Sequence, residues 1–172
     1  MNSSYIKRTF RPLYGWTQMT PKSVFLDPSW DRSTPIWPGM VMTKAVGENV
    51  TLCGAGSGAG GVGTAANNVP YGFAALYVGG DGIDEPLDVG INAFAVWVMS
   101  PDAEAEVLAP AFATSLTYTD TAGSETLLHV GTAGPTIGKL VPSSETDKTT
   151  APVARLLKVN SPTKITIGGL RP

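Results

Sequence analysis

The apolar residues of this chain occur in short stretches that are separated by glycine and proline, above all after residue 35. Small side chains alternate with bulky ones in several of these stretches, a pattern typical of β-strands. The pattern predicts an all-β body of the β-barrel or β-tulip type. The predicted strands are Met40–Thr43, Val50–Cys53, Tyr71–Val78, Ile91–Met99, Thr126–Val130, Ile137–Val141, Val153–Val159 and Lys164–Ile167.

Two of these strands carry more specific expectations. Met40–Thr43 and Val50–Cys53 flank the turn-forming residues 47–49, which predicts a β-hairpin. In Ile91–Met99, Phe94, Val96 and Val98 share one face while Trp97 lies on the other, so both faces of this strand are expected to be covered. The polar residues 142–150 are predicted to form an exposed, mobile loop.

One short helix is predicted, from Asp102 to Ala109. Ser100 is a suitable N-cap, Pro101 fits the first helical position, and Glu104 and Glu106 lie near the positive end of the helix dipole. Pro110 ends the helix, so the predicted fold class is mainly β with one short helix.

Residues 1–34 differ from the rest of the chain. They are rich in aromatic and basic side chains and follow neither the helical nor the strand period. Because disordered tails are poor in aromatic residues, this segment is predicted to be an extended N-terminal arm that orders against its own body or against a partner. The expected organisation is an arm of residues 1–34 and a single β-rich body of residues 35–172.

Composition narrows the possible functions. The net charge is −2 and only 15% of the residues are charged, whereas 20 are glycine and 14 are proline. A chain without a basic field is not expected to bind nucleic acid. No apolar run approaches the ~20 residues that span a bilayer, and the N-terminus lacks a secretion signal, so we expect no membrane partner and synthesis in a cytoplasm.

Gly58–Gly63 has the spacing of a dinucleotide-binding loop. Such a loop must open a helix that carries the chain back across a parallel sheet, and only residues 64–69 precede Pro70. A P-loop is excluded as well, because no Gly-Lys-Ser/Thr sequence follows. No cofactor is expected.

No catalytic or metal-binding constellation stands out. The single histidine, His129, lies in a predicted strand with no Ser or Asp motif beside it, and an ordinary hydrogen bond is the favoured role. The single cysteine, Cys53, is expected to be a buried, inert thiol. The acidic clusters 81–88 and 102–106 lack the spacing of a calcium loop and are interpreted as a solvated turn and a helix start. The chain is therefore predicted not to be an enzyme.

Residues 35–112 resemble the lambda-type head decoration, or cement, proteins of tailed phages. The resemblance lies in a proline-rich entry with a following strand, a small-residue strand, an aromatic strand and a short acidic helix near a proline. These features are Pro35–Met42, Gly72–Val78, Asn92–Val98 and Asp102–Pro110. The Gly54–Gly63 tract and residues 114–164 are longer than the family pattern needs, so residues 113–172 are expected to add β-strands as a second β-layer or an outward knob.

The resemblance implies a virion structural protein, a homotrimer on the capsid exterior that stabilises the expanded shell. Its arm would bridge subunits of the major capsid protein by strand pairing. Aromatic residues dominate interface energetics, and arginine pairs with acidic groups. The predicted capsid contacts in the arm are Arg8, Phe10, Arg11, Tyr14, Trp16, Phe25 and Trp30.

Two other functions stay open. A receptor- or carbohydrate-binding virion appendage would need exposed aromatic residues near the Gly54–Gly63 tract or the 142–150 loop. An enzyme would depend on groups such as Asp84 or His129.

Overall fold

The computed structural model of the chain describes residues 10–14, 19–27, 30, 35–45, 49–54, 69–75, 77–78, 93–113, 116 and 126–170. These residues form two β-sheets and one short 3-10 turn, Gly134–Thr136, and within these ranges no α-helix occurs. The strands are β1 (Phe10–Tyr14), β2 (Met19–Leu26), β3 (Val41–Lys44), β4 (Asn49–Leu52), β5 (Pro70–Ala74), β6 (Ala93–Met99), β7 (Glu104–Leu108), β8 (Thr126–Val130), β9 (Leu140–Pro142), β10 (Ala154–Ser161) and β11 (Lys164–Gly168). The predicted all-β class is confirmed.

The first sheet is a closed five-stranded barrel in the order β2-β4-β3-β5-β6. The predicted hairpin is confirmed, because β3 and β4 pair antiparallel with Met42 opposite Leu52 and Thr43 opposite Thr51. The barrel closes where β2 pairs antiparallel with β6 along seven residue pairs, from Met19 opposite Met99 to Phe25 opposite Ala93.

The second sheet has six strands in the order β1-β7-β11-β10-β8-β9. All of its pairings are antiparallel. It combines β1 and β7 with the four strands that follow residue 113. The strands β8 to β11 extend this sheet, while the second β-layer or outward knob expected from the length of residues 114–164 stays a prediction.

The predicted helix from Asp102 to Ala109 is wrong, because Glu104–Leu108 forms β7 between β1 and β11. Ala103, Ala105 and Val107 are fully buried, while Glu104 and Glu106 are partly exposed. This two-residue alternation suits a strand with one covered face. The apparent helix start is a turn, in which the Ala103 N–H donates to the Ser100 carbonyl oxygen at 3.1 Å.

The predicted strands near the C-terminus agree closely with the structure. Thr126–Val130 is β8, and the strands predicted at 153–159 and 164–167 correspond to β10 and β11. The strand predicted at 137–141 is shorter and later, because Ile137 caps the 3-10 turn and forms only an isolated bridge with Gly131, and β9 begins at Leu140. Tyr71–Val78 is likewise divided into β5 and an isolated bridge between Val78 and Ile36.

The described strands of the predicted arm are extended, but they pair with strands of the body. β1 joins the six-stranded sheet beside β7, and β2 is a barrel strand. Asp27 and Trp30, which follow β2, are also buried. The boundary expected near residue 35 therefore does not separate these strands from the two sheets.

A single hydrophobic cluster joins the two sheets. Phe10 from β1 stacks on Phe73 from β5, with ring centroids 5.3 Å apart. Gly138 lies in a turn of the six-stranded sheet at φ +73°, and a Cβ there would approach Leu52 of the barrel to 2.7 Å. Close packing of this kind makes the relative position of the two sheets sensitive to changes of a single methyl group.

Candidate functional site

The structure separates the seven predicted contact residues into different environments. Phe10 and Trp30 are core residues with exposed fractions of 8% and 6%. Arg11 is exposed on β1, and Phe25 is 52% exposed on β2, in the other sheet. Arg8 and Trp16 lie outside the described residues, as does the side chain of Tyr14. Arg11 and Phe25 are therefore the members with side chains at the surface of the described chain.

The first half of β2 is open to solvent on both faces. Thr20, Pro21, Lys22 and Ser23 are all exposed, although successive side chains of a strand point to opposite faces. Phe25 adds a large apolar surface next to them. Sequence reasoning selected Phe25 but missed Lys22 and Ser23, although proline and lysine on one short strand are the residues that proteins place on exposed sheet edges.

One backbone edge of this half-strand is also unpaired among the described residues. On one side β2 pairs with β6 along its length, whereas on the other side β4 pairs only with Phe25 and Leu26. β4 begins at Asn49, which pairs with Phe25 of β2. Within the described ranges, Met19 to Ser23 therefore have no strand partner on this side.

The direction of the backbone groups on this edge follows from two hydrogen bonds. The Asp27 N–H donates to the Val50 carbonyl oxygen at 2.9 Å. Because backbone groups alternate in direction along a strand, the N–H and C=O groups of the odd-numbered residues of β2 point to the β4 side. Ala95 of β6 lies opposite Ser23 of β2, and its carbonyl oxygen accepts from the Ala75 N–H at 3.0 Å on the other side of β6. The backbone groups of the β6 residues opposite Met19, Pro21 and Ser23 therefore point away from β2. Met19, Pro21 and Ser23 therefore direct their backbone groups to the open edge. Pro21 loses no bond to β6, because its nitrogen lies on this edge.

This arrangement can accept an extended segment of another protein as an added strand. The carbonyl oxygens of Met19, Pro21 and Ser23 and the Ser23 N–H supply backbone acceptors and a donor. Lys22 and Phe25 lie beside them and offer one cation and one apolar ring. We refer to residues 19–25 with this geometry as the β2 edge.

The residues considered as catalytic, metal-binding or nucleotide-binding candidates either have structural roles or lie outside the described residues. The predicted hydrogen bond of His129 is confirmed, since its Nδ1–H donates to the Thr149 carbonyl oxygen at 2.8 Å in a buried position. Glu106 forms an ion pair with Lys164 at 3.3 Å on the surface of the sheet. The Asp81–Asp88 cluster and Gly58–Gly63 lie outside the described residues. Across the described ranges, no group of three or more His, Cys, Asp or Glu side chains is arranged to hold a metal ion.

Cys53 is buried, as predicted. Burial disfavours the thiolate and raises the pKa of the thiol from 9.0 to about 12. A thiol that stays protonated at neutral pH is a poor nucleophile. Cys53 therefore acts as a small core residue.

The 142–150 loop is exposed only in part. Ser143, Ser144 and Thr146 are exposed, but Thr149 is buried. The Thr149 hydroxyl accepts from the Val130 N–H at 3.1 Å and donates to the Ala151 carbonyl oxygen at 2.9 Å. The loop contains no aromatic residue, so it lacks the stacking surface that a sugar-binding site would need.

No described helix is both long and apolar enough to cross a membrane. No curated protein and no solved structure matches the chain. The chain does match a family model described as phage cement protein, over residues 1–172. This match confirms the resemblance to phage head decoration proteins, and it covers β1 and β2 as well as the body. The chain therefore belongs to the phage cement protein family and is a structural component of the phage capsid that stabilises the shell.

Proposed function

We propose that this protein binds the outside of the expanded capsid and bridges neighbouring subunits of the major capsid protein. Family membership supports the location, and the β2 edge supports the mode of binding. The observation that carries the proposal is that, among the residues that the structure describes, Met19–Ser23 pair with β6 on one edge only, while the side chains of residues 20–23 are exposed on both faces.

A strand of a capsid subunit would add to the β2 edge through backbone hydrogen bonds. Lys22 and Phe25 would select an acidic and an apolar side chain beside it, because backbone pairing supplies affinity and side chains supply specificity. Arg11, exposed on the other sheet, would contact a second subunit. A protein that binds the expanded shell and not its precursor stabilises the expanded state by mass action.

A trimer is part of the same proposal and has its support in the resemblance to the lambda-type decoration proteins. Three copies around a symmetry axis would present three β2 edges to the shell. Light scattering of the purified protein measures the mass directly, and a mass of one subunit would contradict a stable trimer in solution.

The test uses point substitutions because β1 and β2 are built into the sheets. A truncation at residue 34 would remove a barrel strand, so a loss of binding would be uninformative. Ser23→Pro removes an N–H from the open edge without breaking a bond to β6, as Pro21 already does two residues earlier. Ser23→Ala is the matched control, because it removes the hydroxyl and keeps the N–H.

Binding to expanded and unexpanded shells is measured by co-sedimentation, and shell melting is measured by calorimetry. We expect the wild type and Ser23→Ala to bind expanded shells and to raise their melting temperature. Ser23→Pro and Phe25→Ser should bind at least about tenfold more weakly while keeping their own melting temperatures. If the wild type does not bind expanded shells, the proposal is wrong; if Ser23→Pro binds normally, the added-strand mode is wrong.

A further inference from the structure

A cleft lies at the junction of the barrel and the six-stranded sheet, apart from the β2 edge. Its volume is about 390 Å³. Met40 and Leu52 of the barrel region line it, as do residues of the turn that precedes β9. The side chains that give it its chemical character are Trp30, Trp37, Pro110, Pro135, Ile137 and Lys139.

The walls of this cleft are held in place before any partner binds. The Trp37 ring packs against Tyr77 with centroids 4.7 Å apart and an interplanar angle of 58°. The backbone N–H of Trp37 donates to the Met40 sulfur at 3.3 Å. In the turn before β9, the Thr136 hydroxyl donates to the Ala133 carbonyl oxygen at 2.7 Å and fixes the turn that carries Pro135. A preformed cleft loses little conformational entropy on binding.

Lys139 gives the cleft its electrostatic character. Its side chain is partly buried in a wall that is otherwise apolar and aromatic. Its backbone is fixed, since the Lys139 N–H donates to the Thr136 carbonyl oxygen at 2.9 Å. Within the described residues the ammonium group has neither an ion pair nor a hydrogen bond. A carboxylate brought into the cleft would gain a charge-assisted hydrogen bond to this ammonium group beside an apolar surface.

The size and lining of the cleft fit a short segment of peptide. Its volume lies near the lower end of the ~300–1,000 Å³ range of ligand pockets, which suits a few side chains. Grooves lined by aromatic residues bind extended, proline-containing segments, because the rings pack flat against a backbone that loses little entropy. The partly exposed Trp37 and the three prolines Pro35, Pro110 and Pro135 provide such a lining, with the buried Trp30 behind them.

We infer that this cleft binds an extended segment of the major capsid protein in which an acidic side chain pairs with Lys139 and a neighbouring apolar or proline residue packs against Trp37. The inference rests on the proposed function, because that function supplies the capsid protein as the partner. It adds a second contact, chemically different from strand addition at the β2 edge. Two separate contacts would increase the avidity of each subunit for the shell.

The test compares charge changes at two lysines. Lys139→Glu and Lys139→Met alter the cleft, and Lys158→Glu makes the same charge change at an exposed position on β10. Affinity for expanded shells is measured by co-sedimentation at two salt concentrations. We expect Lys139→Glu to weaken binding by about tenfold or more and Lys139→Met to weaken it less. Lys158→Glu should bind within about twofold of the wild type, because exposed single charges contribute little.

The outcomes separate this inference from the proposed function. If the wild type does not bind shells, both the proposed function and this inference are wrong. If the wild type binds and Ser23→Pro does not, but Lys139→Glu binds normally, the function stands and the inference is wrong. All variants should keep the wild-type melting temperature, which shows that any loss of affinity is not a loss of folding.

A crosslink identifies the occupant. Pro135 is exposed at the rim, and the native thiol of Cys53 is buried, so Pro135→Cys offers one accessible thiol for a cleavable photo-crosslinker. Mass spectrometry of crosslinked, decorated shells should identify an acidic, extended segment of the major capsid protein. A crosslink to a second copy of this chain, or to a capsid segment without an acidic residue, would overturn the inference.

Discussion

The ring of Phe10 stacks on the ring of Phe73, with centroids 5.3 Å apart and planes inclined by 19°. Phe10 belongs to β1 of the six-stranded sheet and Phe73 to β5 of the barrel. The pair therefore joins the two sheets across their common core. A residue that sequence reasoning selected as a capsid contact is in this structure an internal contact.

We expect Phe10→Ala to lower the free energy of unfolding by about 3–5 kcal/mol, the usual cost of removing a buried aromatic ring. Phe25→Ser should change it by no more than about 0.5 kcal/mol, because Phe25 is half exposed and surface substitutions have small effects. Urea unfolding followed by tryptophan fluorescence measures both values. Equal effects of the two substitutions would show that Phe10 is not the core residue described above.

Thr51 offers a test of polar burial in the barrel. Its hydroxyl oxygen is fully buried and has no hydrogen-bond partner among the described residues. Across the hairpin, the Thr43 hydroxyl donates to the Val69 carbonyl oxygen at 2.8 Å. Thr51→Val should raise the free energy of unfolding by about 1 kcal/mol, because it removes an unsatisfied polar group at nearly constant shape.

Thr43→Val is the matched substitution on the opposite strand. It removes a satisfied hydroxyl and leaves the Val69 carbonyl without this donor, so the free energy of unfolding should fall by about 1 kcal/mol. Chemical denaturation distinguishes the two variants by the opposite signs of their shifts. A loss of stability in Thr51→Val would mean that its hydroxyl has a partner in solution.

The buried thiol of Cys53 should resist modification in the folded protein. With its pKa raised to about 12 by burial, it stays protonated and inaccessible at pH 8. A chromogenic disulfide reagent should therefore react with one thiol per chain only after the protein is unfolded in urea. Rapid reaction in the absence of urea would contradict the burial of this residue.

The same pKa shift predicts a loss of stability in alkali. Well below pH 9.0 the thiol is protonated in both states, so its contribution does not change with pH. As the pH rises from 9.0 towards about 12, the unfolded chain loses this proton while the folded chain keeps it, and the unfolded state is favoured. Urea midpoints measured between pH 8 and pH 10.5 should fall more steeply for the wild type than for Cys53→Ala. Equal slopes would show that Cys53 makes no such contribution.

The helix predicted from Asp102 to Ala109 is wrong because the same residues also have the alternating pattern of a strand. Ser100, Pro101 and the acidic residues match a helix start, but the same residues match a turn that enters a strand. The alternation of Ala103, Ala105 and Val107 with Glu104 and Glu106 was visible in the sequence. A run of five residues satisfies both patterns, and the neighbouring strands β1 and β11 determine the outcome by supplying backbone partners on both sides.

The contact residues illustrate the same limit. Sequence composition set residues 1–34 apart from the rest and selected Phe25 and Arg11 as contact residues, and both are exposed. It also selected Phe10 and Trp30, which are buried, because an aromatic residue packs equally well into its own core or into a partner. Lys139 attracted no attention in the sequence, since its position in an apolar cleft depends on residues as distant as Trp30.

The sequence by itself determined the all-β class, most of the strands, the β3–β4 hairpin, the buried state of Cys53, the hydrogen-bonded role of His129, and a resemblance to phage decoration proteins. These features depend on short-range patterns of turn residues and alternating side chains, which a linear sequence contains. Only the tertiary structure decided that β1 and β2 belong to two different sheets, that β4 stops short of the first half of β2, and that a lysine lines a tryptophan cleft. Those features depend on strand order and register, which are set by contacts between residues far apart in the chain.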